Sequence, residues 1–141
     1  MDVELQIISH VMVLVFWSML IWLWMYVTRL PAVSAAKLKP DPFAPRGQQM
    51  ATLPAQVRWK ADNYNHLMEQ PTVFYALAIS LALLGEGKDL NLYLAWSYVL
   101  LRIMHSLVQV SINKIELRFL LYLLSNIPLF WLAVEALLLI I

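Results

Sequence analysis

Apolar residues fill four stretches of the chain: Leu5 to Leu30, Asn63 to Leu84, Leu90 to Ile112 and Arg118 to Ile141. Each reaches the roughly 20 residues that a helix needs to cross a hydrocarbon core. The runs are continuous and Leu-rich, as in Leu132 to Ile141. Barrel strands would instead alternate in polarity over about 10 residues. The pattern therefore predicts an all-α protein, a four-transmembrane-helix bundle forming one integral membrane domain over residues 1–141. Two tight polar turns set its packing. Gly85-Glu86-Gly87-Lys88-Asp89 makes the second and third helices antiparallel neighbours, and Asn113-Lys114-Ile115-Glu116 does the same for the third and fourth. The one long connection, residues 31–57, holds Pro31, Pro40, Pro42, Pro45 and Pro54 and has no periodicity, so a solvated loop is expected there.

Small residues at Ala32-Val33-Ser34-Ala35-Ala36 mimic a cleavage site. Asp2 and Glu4 replace a positive leader, however, and the run to Thr28 is longer than a signal-peptide core of roughly 7 to 15 residues. The first helix is read as retained. Lys and Arg then orient the bundle: Arg29, Lys37, Lys39, Arg46, Arg58 and Lys60 flank the first loop and Lys114 and Arg118 the third, against Lys88 in the second. An excess of these residues marks the cytoplasmic side, so the Pro-rich loop is expected in the cytoplasm and both termini outside it. Trp22, Trp24, Tyr26 and Trp59 fall at one membrane surface and Tyr93 and Trp96 at the other, as aromatic belts do.

Composition agrees with the pattern and removes other classes. Hydrophobic residues make up 62% and charged residues 13%, half the roughly 25% of a soluble domain. A net charge of +1, with no basic polar domain to track phosphates, sets nucleic acid aside. Without cysteine the chain has no disulfide, no thiolate of its own and no Cys-based metal site. Any thiol chemistry has to come from a ligand.

Polar residues inside the apolar stretches carry the candidate chemistry, because ionisable groups are expensive there. Arg58, Asp62, Asn65, His66 and Glu69 recur at spacings of three or four on the second helix. Arg102, His105 and Gln109 do so on the third, and Arg118, Tyr122 and Ser125 on the fourth. At about 1.5 Å per residue, Glu69 and Arg102 lie at a similar depth of roughly 15 Å, where they are expected to meet. Pro71 is expected to kink the second helix by freeing the carbonyl of Leu67. The stripes converge on a positively lined pocket open to the cytoplasm. Its arginines suit ligand carboxylates and its one glutamate suits an ammonium, a combination found in a small zwitterionic peptide. A bare Glu69–Arg102 pair would equally serve to hold helix register. His10, His66 and His105 sit on separate helices with no close pair expected, so no metal site is predicted.

Arg102-x-x-His105, the Arg118-x-x-x-Tyr122 that follows it, and the run from Arg58 through Asn65, Glu69 and Pro71 to Phe74 resemble the MAPEG family, membrane-associated proteins in eicosanoid and glutathione metabolism. The likeness is to bacterial-type members. It implies a homotrimer in a bacterial inner membrane, with glutathione as cosubstrate bound between subunits near the cytoplasmic side. Carried over by position, Glu69 and Arg102 would hold the glutathione backbone. His105 would support them, with Arg58, Asn65, His66 and Gln109 in the same binding set, while Arg118 and Tyr122 would stand near the thiol as the catalytic pair. The chain departs from the family pattern at Asp62 and His66, where Arg and Asn are usual, and at Gln109, where several members have Tyr. The implied function is a glutathione-dependent transferase or peroxidase-like activity on lipophilic electrophiles arriving through the bilayer. Two other readings stay open: a small proton-coupled multidrug exporter, against which the permanent cation Arg102 argues, and a non-catalytic MAPEG-like membrane protein.

Overall fold

A computed structural model describes residues 6–141, and among them every regular element is helical. Leu5, the expected first residue of the first helix, and the preceding Asp2 and Glu4 lie outside the described residues. The order is α1 (Gln6–Ala35), a single 3-10 turn (Met50–Thr52), α2 (Ala55–Glu69), α3 (Pro71–Leu83), α4 (Asp89–Ser111) and α5 (Ile115–Leu138). Helices α2 and α3 meet at Gln70, which keeps helical dihedrals (φ −64°, ψ −39°). Pro71, with no N–H to give, opens α3 at the position where a missing donor costs least. The result is one interrupted rod, so the fold has four rods with a break beside Glu69.

The rods turn narrow stripes inward. On α1 these are Ile7, His10, Val11, Leu14, Ser18, Ile21 and Met25; on α5 they are Leu121, Ser125, Pro128, Leu129, Leu132 and Ala136. Both follow the three-and-four spacing of a helix face. The outer faces of the same helices are equally apolar, with Met12, Phe16, Met19, Leu23, Phe119, Leu123, Ile127 and Phe130 exposed. A helix apolar all round belongs in a membrane or a large core, and α1 and α5 are long and apolar enough to cross a bilayer. The other two expected spans do not combine that length with that apolarity. α4 carries Asp89, Asn91, Arg102, His105 and Gln109, and the second rod is broken at Gln70.

α4 is the central element, packed along α5 and against α1 and α2. Phe74 of α3 stacks on Tyr98 of α4 with centroids 4.6 Å apart. Ser106, a residue unremarkable in the sequence, joins three helices: Trp17 Nε1 of α1 donates to its Oγ at 2.9 Å and Asn63 Nδ2 of α2 at 2.7 Å. Ser106→Ala should strand both donors away from water and cost about 1–3 kcal/mol, measurable as a lower unfolding midpoint in mild detergent. An unchanged midpoint would make this junction incidental. The Pro-rich segment also has internal order. Gln49 donates from Nε2 to the Lys39 carbonyl at 2.7 Å and accepts from the Asp41 N–H at 3.2 Å, and Leu53 is buried beneath it.

Candidate functional site

α4 supplies the site's buried floor. Arg102, His105 and Gln109 project from one face by their three-and-four spacing and are 0%, 3% and 2% exposed. Arg102 Nη2 lies 2.9 Å from His66 Nδ1 and 3.2 Å from the His66 carbonyl oxygen. A guanidinium has no acceptor, so Nδ1 must receive the hydrogen bond, and the neutral His66 ring carries its proton on Nε2. The His66 and His105 rings stack at 4.9 Å, and Tyr122 meets His66 edge-on at 5.5 Å. Arg102 Cζ sits 5.9 Å from the Tyr122 ring centroid. In front of these groups lies a cavity of about 380 Å³ lined by His66, His105, Ile115, Arg118, Phe119 and Tyr122.

The start of α5 brings Arg118 and Tyr122 to this cavity, and the turn before it holds Arg118 in place. Asn113 has φ 49°, a left-handed conformation that Asn tolerates better than most residues. Its N–H closes α4 by donating to the Val108 carbonyl at 2.7 Å. Its Oδ1 accepts from Arg118 Nη1. Asn113 was legible only as a turn residue; its hold on Arg118 depends on how the turn folds back.

The cavity bears two imidazoles, a phenol and a guanidinium, and among the described residues no carboxylate lines it. Behind it, Arg102 Nε and Nη1 are buried without a hydrogen-bond partner among the described residues, as are Arg118 Nε and Gln109 Oε1. Unmet donors on a buried cation are costly unless something anionic approaches them.

Glu69 is not that partner within the chain. It is exposed, as are Arg58, Asp62 and Asn65. With about 100° between successive residues, these four form one stripe, while the buried residues of α2 are Lys60, Asn63 and Leu67, roughly 160° away. His66 falls on the border and alone of the expected set reaches the bundle. The expected meeting of Glu69 and Arg102 is therefore corrected: α2 is rotated so that His66, not Glu69, faces Arg102. The expectation of no close histidine pair is corrected too, since His66 and His105 stack across helices. Among the described residues, no group of three His, Asp or Glu side chains gathers.

Arg58 and Asn65 belong instead to a second cavity of about 360 Å³, where the Pro-rich segment folds over the end of α1 and the start of α2. Arg29, Arg46 and Asp62 also line it. The candidate residues thus divide between two sides of α2. His66, His105, Arg118 and Tyr122 share one cavity, with Arg102 behind it; Arg58 and Asn65 line the other; Glu69 lies on the outer stripe.

Neither the curated proteins nor the solved structures hold a significant match to the chain. The family model described as MAPEG family matches residues 7–138, from the second residue of α1 to the last of α5. Members of that family are membrane-associated, generally form trimers and generally use glutathione. With the match running across every helix, the chain belongs to the MAPEG family.

Proposed function

We propose that this protein is a multi-pass membrane enzyme, a glutathione-dependent transferase or peroxidase acting on lipophilic electrophiles. The observation that carries this reading is the cationic cavity backed by Arg102, a fully buried guanidinium with two unpartnered nitrogens. Such a group favours an anionic ligand with several acceptors, and glutathione offers two carboxylates and a thiol that ionises. The cavity volume falls within the roughly 300–1,000 Å³ of small-molecule sites.

Within the site, Arg118 and Tyr122 are assigned to the sulfur, with His66 Nε2–H a further donor. Arg102 is assigned to a carboxylate and His105 to packing His66. Glutathione supplies the nucleophilic thiol when bound. The residues orient it, and Arg118 favours its deprotonated form, beside apolar Ile115 and Phe119 where a lipophilic electrophile would arrive. The outward stripe of Arg58, Asp62, Asn65 and Glu69 fits a site completed between subunits of a homotrimer, the carboxylates meeting the glutathione ammonium. Against the exporter reading stands the same cavity: Arg102 and Arg118 repel cationic drugs. The Lys and Arg asymmetry supports a cytoplasmic Pro-rich loop with both termini on the opposite face.

Calorimetric titration of the purified protein with glutathione tests the assignment. Saturable binding is expected, weakened by S-methylation of the thiol, with turnover of a lipophilic aryl halide or hydroperoxide. Absence of binding in both detergent and nanodiscs would sink it, and binding without turnover would leave the non-catalytic alternative standing.

A further inference from the structure

At the end of the bundle away from the candidate site, the first turns of α1 and α4 border a cavity of about 530 Å³ whose walls include Gln6, Ser9, His10, Asp89, Tyr93 and Trp96. His10 is buried, and its Nδ1 lies 3.2 Å from the Gln6 carbonyl oxygen. A carbonyl only accepts, so Nδ1 carries the proton and Nε2 is a bare acceptor. Ser9 Oγ donates to the same carbonyl at 2.7 Å and sits 3.2 Å from Nδ1, an arrangement compatible with that tautomer. Nε2 is buried and has no hydrogen-bond partner among the described residues. The Trp96 ring packs 4.5 Å from the imidazole. Among the described residues, Asp89 is the one charged residue in the lining; its neighbour Lys88 is not part of it.

A lone-pair acceptor, a carboxylate and the π-systems of two aromatic residues share one electrostatic preference. All favour a cation, and Nε2 adds a need for an N–H donor. Anions are repelled by the set. A quaternary ammonium answers Asp89 and the rings but leaves Nε2 unmet. Tyr93 and Trp96 alone would pass as part of an interfacial aromatic belt. Such a belt, however, calls for neither a carboxylate nor a buried imidazole acceptor on the adjoining helix. We propose that this cavity binds a primary ammonium group at the membrane surface, carried by the headgroup of an aminophospholipid.

Native mass spectrometry of the full chain, delipidated in mild detergent, tests this with phosphatidylethanolamine, phosphatidylcholine and phosphatidylglycerol of identical acyl chains. Phosphatidylethanolamine should be retained at least several-fold better than the other two. Asp89→Asn and His10→Phe should bring it down to the phosphatidylglycerol level. Asp89 is exposed, so its variant does not challenge folding, and phenylalanine keeps a ring against Trp96 while deleting the acceptor. Glutathione binding, read at the other end of the bundle, should be unchanged in both. Displacement of the lipid by octylammonium would show that the ammonium alone suffices and that soluble amines are also ligands; failure to displace it would confine the ligand to the lipid headgroup. Equal retention of the three lipids, or undiminished phosphatidylethanolamine in Asp89→Asn, would overturn the proposal.

Discussion

Arg102→Leu should weaken glutathione binding by roughly 10- to 150-fold, the equivalent of losing one charge-assisted hydrogen bond of about 1.5–3 kcal/mol. The unliganded protein should nonetheless unfold no more easily than the parent. Arg102 is fully buried, and only Nη2 has partners, both on His66. Were Glu69 its buried counter-ion, removing Arg102 would cost about 3–5 kcal/mol by stranding a charge. Glu69 is exposed on another side of α2, so no carboxylate is stranded within the chain. What leaves is a desolvated cation with unmet donors, and replacing such a group with an apolar side chain is often neutral or stabilising. Calorimetry for affinity and thermal unfolding without ligand separate the two effects. Unchanged affinity with a lower unfolding midpoint would reduce Arg102 to a structural brace.

Arg118→Ala should lower the thiolate fraction of bound glutathione at pH 7 by up to roughly 8- to 25-fold, the full loss applying where the guanidinium rather than the helix N-terminus supplies the shift. A free thiol with a pKa of about 8.5 is roughly 3% ionised at that pH. A nearby guanidinium and a helix N-terminus, lowering the value by one to two units, would raise the ionised share to roughly 25–75%. Arg118 lies in the first turn of α5, so both influences act at one place. The sign follows directly: a depressed thiol pKa means activity that rises through the lowered value and is lost as the pH falls below it. In Arg118→Ala the rise should move up towards about 8.5. Ultraviolet absorbance of the bound thiolate across a pH series, at saturating glutathione, reads this without turnover. Asn113→Gly provides an intermediate case, since glycine keeps the left-handed turn but removes the amide oxygen that holds Arg118. A thiolate signal that persists in Arg118→Ala would show that Arg118 is an anchor reaching for the headgroups, as arginines at helix ends commonly are.

Helical class, the long runs of α1 and α5, the break before Pro71 and the three polar stripes were all legible in the residue pattern. Each is a local property: helical period and apolar length are set by neighbours three and four positions away, and a missing N–H acts on its own turn. The family resemblance was legible for a related reason, because its motifs are fixed spacings within single helices. The rotation of each helix about its own axis was not. Arg58, Asp62, Asn65 and Glu69 form one stripe whichever way α2 is turned. Only the packing of Asn63 on Ser106, and the burial of Leu67, turns that stripe outward and brings His66 to Arg102. The stacking of His66 on His105 joins residues far apart in the chain, and the hold of Asn113 on Arg118 depends on how one turn folds back. Sequence spacing determined which side chains share a face. The tertiary fold decided what each face meets, because a helix's rotation is set by contacts with other helices that its own period does not encode.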